Sequence, residues 1–228
     1  MIGIITARGG SVRLPGKNVR KLDGRPLIHH TIRAARESNA IDRIVLSTDD
    51  PHIAEVAKEA GAEVPFMRPK ELSHGNATSR DVLLHAVGVL EEAGEGMDAF
   101  CLLQPTSPLR TAEDIDGAVA LFMEKEADSV IGVTEFEHPL EWMLELNESH
   151  RIVDRNPLRE RVLPEGHRYD RPNGAVYIFR TAFFKRAETY IGENTYGYPM
   201  PPERSVDIDT RLDFLIAEAI IRETRATT

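Results

Sequence analysis

Short apolar runs alternate with helical patterns along this chain, and no other feature constrains its fold as much, because that alternation signals a parallel α/β sheet. Residues 2–7 read as a first buried strand. Pro26 opens a helix in which Leu27, Ile28, Ile32 and Ala35 recur at helical spacing. Further strands are expected at residues 43–47, 63–66, 97–103, 129–133 and 175–179. Helices are expected after Asp50-Pro51, over 79–92, from about 112 to 124, and over 212–225. At 228 residues the chain is long enough for one domain with a proper core, and it carries no internal repeat, low-complexity tract or linker.

The first strand runs straight into a cationic, glycine-rich loop: Arg8-Gly9-Gly10-Ser11, then Arg13-Leu14-Pro15-Gly16-Lys17-Asn18. Glycine N–H groups flanked by guanidinium and ammonium groups suit a polyphosphate. The loop is not a Walker loop, since five residues separate Gly10 from Gly16 and Asn18 follows the lysine. Nor is it a dinucleotide fingerprint, because Pro15 and the charges deny it three spaced glycines opening a helix. It reads as a third way to hold a nucleoside triphosphate, with Arg8 and Lys17 on the phosphates, Arg13 as a further cation, and Gly9, Gly10 and Ser11 lending N–H groups and a hydroxyl. The bland alternative is a glycine turn with solvated cations.

Asp207 and Asp209 stand two apart at what reads as the end of an apolar strand, so their carboxylates share one face while Val206 and Ile208 point the other way. Spacing leaves two readings open: a pair holding Mg²⁺ with substrate phosphates, or Asp209 as the N-cap of the last helix with Asp207 solvated. Asp213 reads as a surface residue. Gln104 lies where a strand breaks into Pro105-Thr106-Ser107-Pro108, at the carboxyl end where open parallel sheets collect ligands. Arg171 and Asn173 precede a later strand, where a guanidinium suits the carboxylate of an acid. His85, among Leu83, Leu84 and Val87, reads as a structural histidine, and His29-His30 as helix surface and core edge.

Residues 137–170 break the rhythm, with His138-Pro139, Trp142, Pro157, Pro164 and many arginines but no clean helical period. So long an irregular stretch suggests an arm, lid or interface element interrupting a domain of residues 1–136 and 171–228. Trp142, Met143 and Leu144 are costly to leave in water.

A net charge of −9 argues against a general nucleic-acid binder, since a phosphate backbone is repelled. The single cysteine, Cys101, excludes an intrachain disulfide, fits a reducing cytoplasm, and reads as a buried strand thiol beside Phe100 and Leu102. No apolar run approaches the ~20 residues of a membrane helix. Met1 leads directly into the first strand, so no leader is expected.

Six ordered motifs carry a resemblance that runs nearly end to end. They are Ala7-Arg8-Gly9-Gly10-Ser11; Ser47-Thr48-Asp49-Asp50; Val64-Pro65-Phe66 with Arg68-Pro69; residues 103–110; residues 173–178; and Ser205-Val206-Asp207-Ile208-Asp209-Thr210. Together the chain resembles the N-acylneuraminate cytidylyltransferases, which make CMP-sialic acid and related CMP-nonulosonates. One departure is Val12-Arg13, where the sialate pattern has lysine after the serine; the string from Arg13 to Lys17 is similar to the sister 3-deoxy-manno-octulosonate enzymes. The resemblance implies a Rossmann-like α/β nucleotidyltransferase with a mainly parallel central sheet flanked by helices, and a protruding dimerisation arm that makes a homodimer. It implies Mg²⁺, or Mn²⁺, on Asp207 and Asp209. It implies cytosine surrounded by Ala7, Arg8, Asn18, Arg68, Ala77 and Ser79, and a sugar-side role for Gln104 and Tyr177. The substrates implied are CTP and a nonulosonic acid, with octulosonate, pseudaminate and legionaminate as alternative acceptors. A non-catalytic nucleotide sensor is the competing class, and Arg8, Lys17, Asp207 and Asp209 together weigh against it.

Overall fold

The computed structural model describes residues 1–11, 13–74, 77–138, 142–153 and 169–226. Its centre is a six-stranded sheet made by β1 (Ile2–Thr6), β4 (Arg43–Ser47), β5 (Ala99–Leu102), β6 (Ser129–Glu135), β9 (Asp170–Arg180) and β10 (Thr195–Pro199), in the order β10-β6-β9-β5-β1-β4. β1 pairs in parallel with β4 and β5, and β10 with β6, while β9 runs antiparallel to both of its neighbours. The sheet is therefore mainly parallel, with one reversed strand inserted between its halves. Lys21–Leu22 (β2) and Arg25–Pro26 (β3) form a small hairpin, and Glu145–Leu146 (β7) with Ile152–Val153 (β8) another.

Strand side chains alternate between two helical layers. Ile5, Leu46 and Cys101 face α1 (Leu27–Glu37), α2 (Pro51–Glu59) and α4 (Ala112–Glu124), meeting Ile28, Ile32, Ile53, Ile115 and Phe122. Their neighbours Ile4, Val45, Phe100 and Leu102 face α3 (Ser79–Glu92) and α5 (Thr181–Arg186), meeting Leu83, Val87, Leu90, Phe183 and Phe184. The period of two along each strand is what lets one sheet fill two cores. A third apolar cluster, of Leu14, Leu22, Leu27, Ile208, Phe214 and Ala217, packs the last helix, α6 (Arg211–Ala226), beside the cationic loop.

Two expected strands are corrected. Residues 63–66 supply only one bridge, Glu63 beside Val45, with the Glu63 N–H on the Ile44 carbonyl at 2.7 Å and the Leu46 N–H on the Glu63 carbonyl at 2.8 Å. Pro65, without an N–H, fits no longer ladder. Residues 206–209 form no strand either; they are tied to the sheet by the Ile208 N–H on the Thr106 carbonyl, 2.7 Å. α5 and β10 were not anticipated, the latter because Gly197 and Pro199 mask a strand signal. The region read as an arm is described only in part. β7 and β8 belong to it, and Trp142, Met143, Leu144, Leu146 and Ile152 are all exposed, while the arginines and prolines of residues 154–168, with Pro139, lie outside the described residues.

Candidate active site

The carboxyl ends of β1, β4 and β5 open together, as ligand sites in parallel sheets do. Thr6 at the end of β1 leads into the loop; Ser47 and Thr48 at the end of β4 anchor Arg68; β5 leads to Gln104. Between them lies a cleft of about 450 Å³, lined by Arg8, Ser11, Arg13, Lys17, Asn18, Arg68, Ala77, Ser79, Gln104, Asp207 and Asp209 among others. Eleven residues singled out from the sequence thus share one cavity, although they span nearly the whole chain.

The loop is shaped by packing and local bonds. Leu14 plugs into the third apolar cluster, and Gly16 takes a left-handed φ of 65° that starts a 3₁₀ turn over Lys17–Val19. The Asn18 amide donates to the Arg8 carbonyl at 3.0 Å, so it closes the loop on itself as well as facing the cleft. Two of the expected phosphate donors are engaged inside the protein: the Gly9 N–H on Asp49 Oδ1 at 3.1 Å and the Ser11 N–H on the Gly9 carbonyl at 3.0 Å. Ala7 is buried, and its N–H donates to the Ser47 carbonyl at 3.0 Å. Arg8 and Arg13 stay exposed.

Arg68 is buried, with Nε on Ser47 Oγ at 3.1 Å and Nη2 on the Ser47 carbonyl at 2.5 Å. Burial lowers its pKa, and nearby Asp49 works against that shift. Ser79 is the first residue of α3, and the cap before it is Thr78, which with Asp81 forms a capping box. This helix start points its partial positive charge at the same cavity.

At the opposite wall the Asp209 carboxylate meets Lys17 Nζ at 3.0 Å and Arg13 Nη2 at 2.9 Å, and Lys17 also donates to the Ile208 carbonyl at 2.7 Å. Asp209 does not cap the last helix. Thr210 does: its hydroxyl accepts from the Asp213 N–H at 3.3 Å, and Asp213 Oδ2 accepts from the N–H groups of Asp209 and Thr210 at 3.0 and 2.7 Å. Asp213, read as a surface residue, is the second half of that capping box. Asp207 is solvent-exposed where it opens to the cleft. The protein that flanks it nonetheless takes part of its water away, which raises its pKa; a hydrogen bond with the Thr106 side chain opposes the rise, and the charge of Asp209 adds to it. Two carboxylates that repel across a cavity lined with cations form a fitting donor set for a divalent ion whose remaining ligands come from a phosphate.

The sugar-side expectations divide. Gln104 lines the cleft, but Arg171, Asn173 and Tyr177 do not. Arg171 is exposed on β9. Asn173 is buried and committed, with Nδ2 on Ser205 Oγ at 3.0 Å and Met200 Sδ at 3.2 Å, and Oδ1 accepting from the Ala175 N–H at 3.0 Å. Tyr177 packs among Phe179 and Tyr190; burial raises its pKa, and the Asp207 charge adds to the shift. Thr6, Leu72, His74, Val82, Pro105 and Thr106 complete the lining and were missed. Thr106 was within reach of the sequence, two residues past Gln104 in the same motif; Leu72 and His74 sit in an irregular stretch with no signal of their own.

The sequence model of the family described as Cytidylyltransferase matches residues 2–201. The N-acylneuraminate cytidylyltransferase of Streptococcus agalactiae serotype V is 38% identical over 221 residues, covering 94% of this chain and 51% of that protein. The pseudaminic acid cytidylyltransferase of Campylobacter jejuni is 32% identical, with coverage of 96% and 95%, and the CMP-N,N'-diacetyllegionaminic acid synthase of Legionella pneumophila 34%, with 97% and 96%. The chain spans about half the length of the streptococcal relative and nearly all of the other two. The solved structure of CMP:2-keto-3-deoxy-manno-octonic acid synthetase complexed with CTP superimposes with a TM-score of 0.75 at 19% identity, covering 98% of each chain, and shares the fold.

Proposed function

Because this chain belongs to the cytidylyltransferase family, we propose that it transfers CMP from CTP to the anomeric hydroxyl of a nonulosonic acid. The hydroxyl oxygen bonds to the α-phosphorus, the bond from that phosphorus to the bridging oxygen breaks, and pyrophosphate and a proton leave. The observation that carries this reading is the single cleft in which Arg8, Arg13 and Lys17 face Asp207 and Asp209, with Gln104 at the acceptor end. The cations neutralise triphosphate charge and hold the leaving group, and Gln104 orients the sugar. Arg68, Asn18, Ala77 and Ser79 form the wall for the base. Asp207 and Asp209 would hold Mg²⁺ or Mn²⁺, which when bound supplies Lewis-acid polarisation of the phosphates. No side chain has to be covalently modified.

The acceptor is a sialic-type acid or a close relative, since similar proteins are named for N-acylneuraminate, pseudaminic acid and legionaminic acid. Pyrophosphate release measured with a panel of nonulosonic and octulosonic acids and all four nucleotides tests the reading. CTP with one nine-carbon acid is expected to dominate. Release with no acid, or preference for another nucleotide, overturns it. A homodimer working in the cytoplasm belongs to the same proposal; among the described residues no helix is long and apolar enough to cross a membrane.

A further inference from the structure

The acceptor end of the cleft rests on a turn, residues 104–107, and that turn is held from beneath by Arg110. The Arg110 side chain is buried, at 3% exposure. Its Nε donates to the Ala175 carbonyl at 2.7 Å, and its Nη2 to the Gln104 and Ser107 carbonyls at 2.5 and 3.0 Å. Among the described residues no carboxylate pairs with it: Asp114, the nearby acid, receives Arg204 on both oxygens at 2.9 Å. Burial lowers the pKa of this guanidinium to about 10. A buried cation without a counter-ion is strongly unfavourable, so three carbonyls from two separate segments must repay what they can.

Those segments are the two sides of the acceptor end. Gln104 lines the cleft, and the Thr106 carbonyl and side chain hold Ile208 and Asp207. On the β9 side, Gly174 at φ +77° packs so close that an added Cβ would stand 3.0 Å from Ser107 Oγ, 3.2 Å from Gln104 Oε1 and 3.6 Å from Asp207 Cγ. Ser107 Oγ in turn donates to the Asn173 carbonyl at 3.3 Å. The planar fork of Arg110 reaches both sides at once, which an ammonium cannot match.

We infer that Arg110 is a positioning residue for the acceptor half of the cleft: it locks the 104–107 turn to β9 and so places Gln104 and, through Thr106, Asp207, while touching neither substrate. Its kinetic consequence rests on the cytidylyltransferase reading. The nucleotide half stands on other supports, with Arg8 after β1, Arg68 on β4, and Ala77 and Ser79 at the start of α3.

The test compares Arg110→Lys and Arg110→Met with the unaltered chain. CTP affinity is measured by calorimetry without acid, steady-state rates with varied acid, and backbone amide exchange by mass spectrometry. Arg110→Lys keeps the charge but not the fork, and serves as the measurable variant should Arg110→Met fail to fold. The expected result is a loss of about 100-fold in kcat/KM for the acid, the scale of an ångström of misplacement, with CTP affinity changed less than about threefold. Amide exchange should quicken at residues 104–107 and 205–209 and stay unchanged in β1 and β4. A folded Arg110→Lys with unchanged acid kinetics and exchange overturns the inference, and so does a uniform loosening that weakens CTP in proportion. If the unaltered chain releases no pyrophosphate with any acid, the functional reading fails by itself, and the exchange pattern still decides the clamp.

Discussion

Arg8 and Lys17 carry the strongest expectation for single side chains. Both are cations on the cleft wall, and Lys17 already spends its charge on Asp209 at 3.0 Å. Replacing either with alanine is expected to cut turnover by at least ~100-fold, the scale of losing a charge-assisted contact in a shielded site, with the fold retained. Near-normal steady-state rates would remove the residue from the triphosphate. Asp207 gives a prediction with a sign. Folding raises its pKa, so the folded state holds that proton more tightly than the unfolded chain does. The favourable contribution is full below the unfolded value and is lost as pH rises through the folded one. Asp207→Asn removes a partly desolvated charge that repels Asp209. In EDTA it is expected to melt higher than the unaltered chain at pH 7, with the gap closing under acid, while activity is lost. A thermal-shift series against pH reads this, and an equal or lower melting temperature at pH 7 contradicts it. Metal removal tests the pair as a unit: activity is expected to vanish in EDTA and return with Mg²⁺ or Mn²⁺, and full activity in EDTA would end the metal role of Asp207 and Asp209.

Among the elements, β9 does the most to shape the site. It is the one reversed strand, it divides the sheet, and its register with β6 shifts between Ile131 and Val133. Within that irregular stretch, between Pro172 and Tyr177, Gly174 turns left-handed and brings backbone against Gln104 and Asp207. Gly174→Ala meets both an unfavourable φ and a 3.0 Å approach to Ser107 Oγ. The expected cost is about 1–3 kcal/mol in denaturant unfolding, with acid kinetics impaired more than CTP affinity. A variant of unchanged stability would show that the strand adjusts freely. The last helix illustrates the opposite case, an element whose cap frees a functional group: Thr210 and Asp213 satisfy its first turn, and Asp209 is left to face Arg13 and Lys17.

For the whole molecule the open matter is association. Trp142 is 70% exposed and stacks on His138, with Leu144, Leu146 and Ile152 exposed nearby on or beside the β7–β8 hairpin. Such a patch suits an isologous contact between two copies. Light scattering at micromolar concentration is expected to report twice the chain mass. Since Trp142 is the only tryptophan, its emission should shift to the red on dilution as the pair separates. A monomer with unshifted emission would count against the homodimer.

The sequence by itself determined the layers and most of the cleft's inventory. Strand and helix periods are local properties, so β1, β4, α3 and α4 were legible from spacing, and the order of motifs pointed to eleven lining residues. Other features depended on partners far along the chain. Whether Asp209 caps a helix or faces the cleft was undecidable from spacing, and Thr210 with Asp213 settles it. Asn173 looked like a ligand for a sugar, yet Ser205 and Met200 consume its amide. Arg110 stood inside the 103–110 motif with no reading of its own, and only folding shows it buried under three carbonyls. A pattern along the chain records which face a side chain takes, but the partners that use up its hydrogen bonds are chosen when distant segments pack.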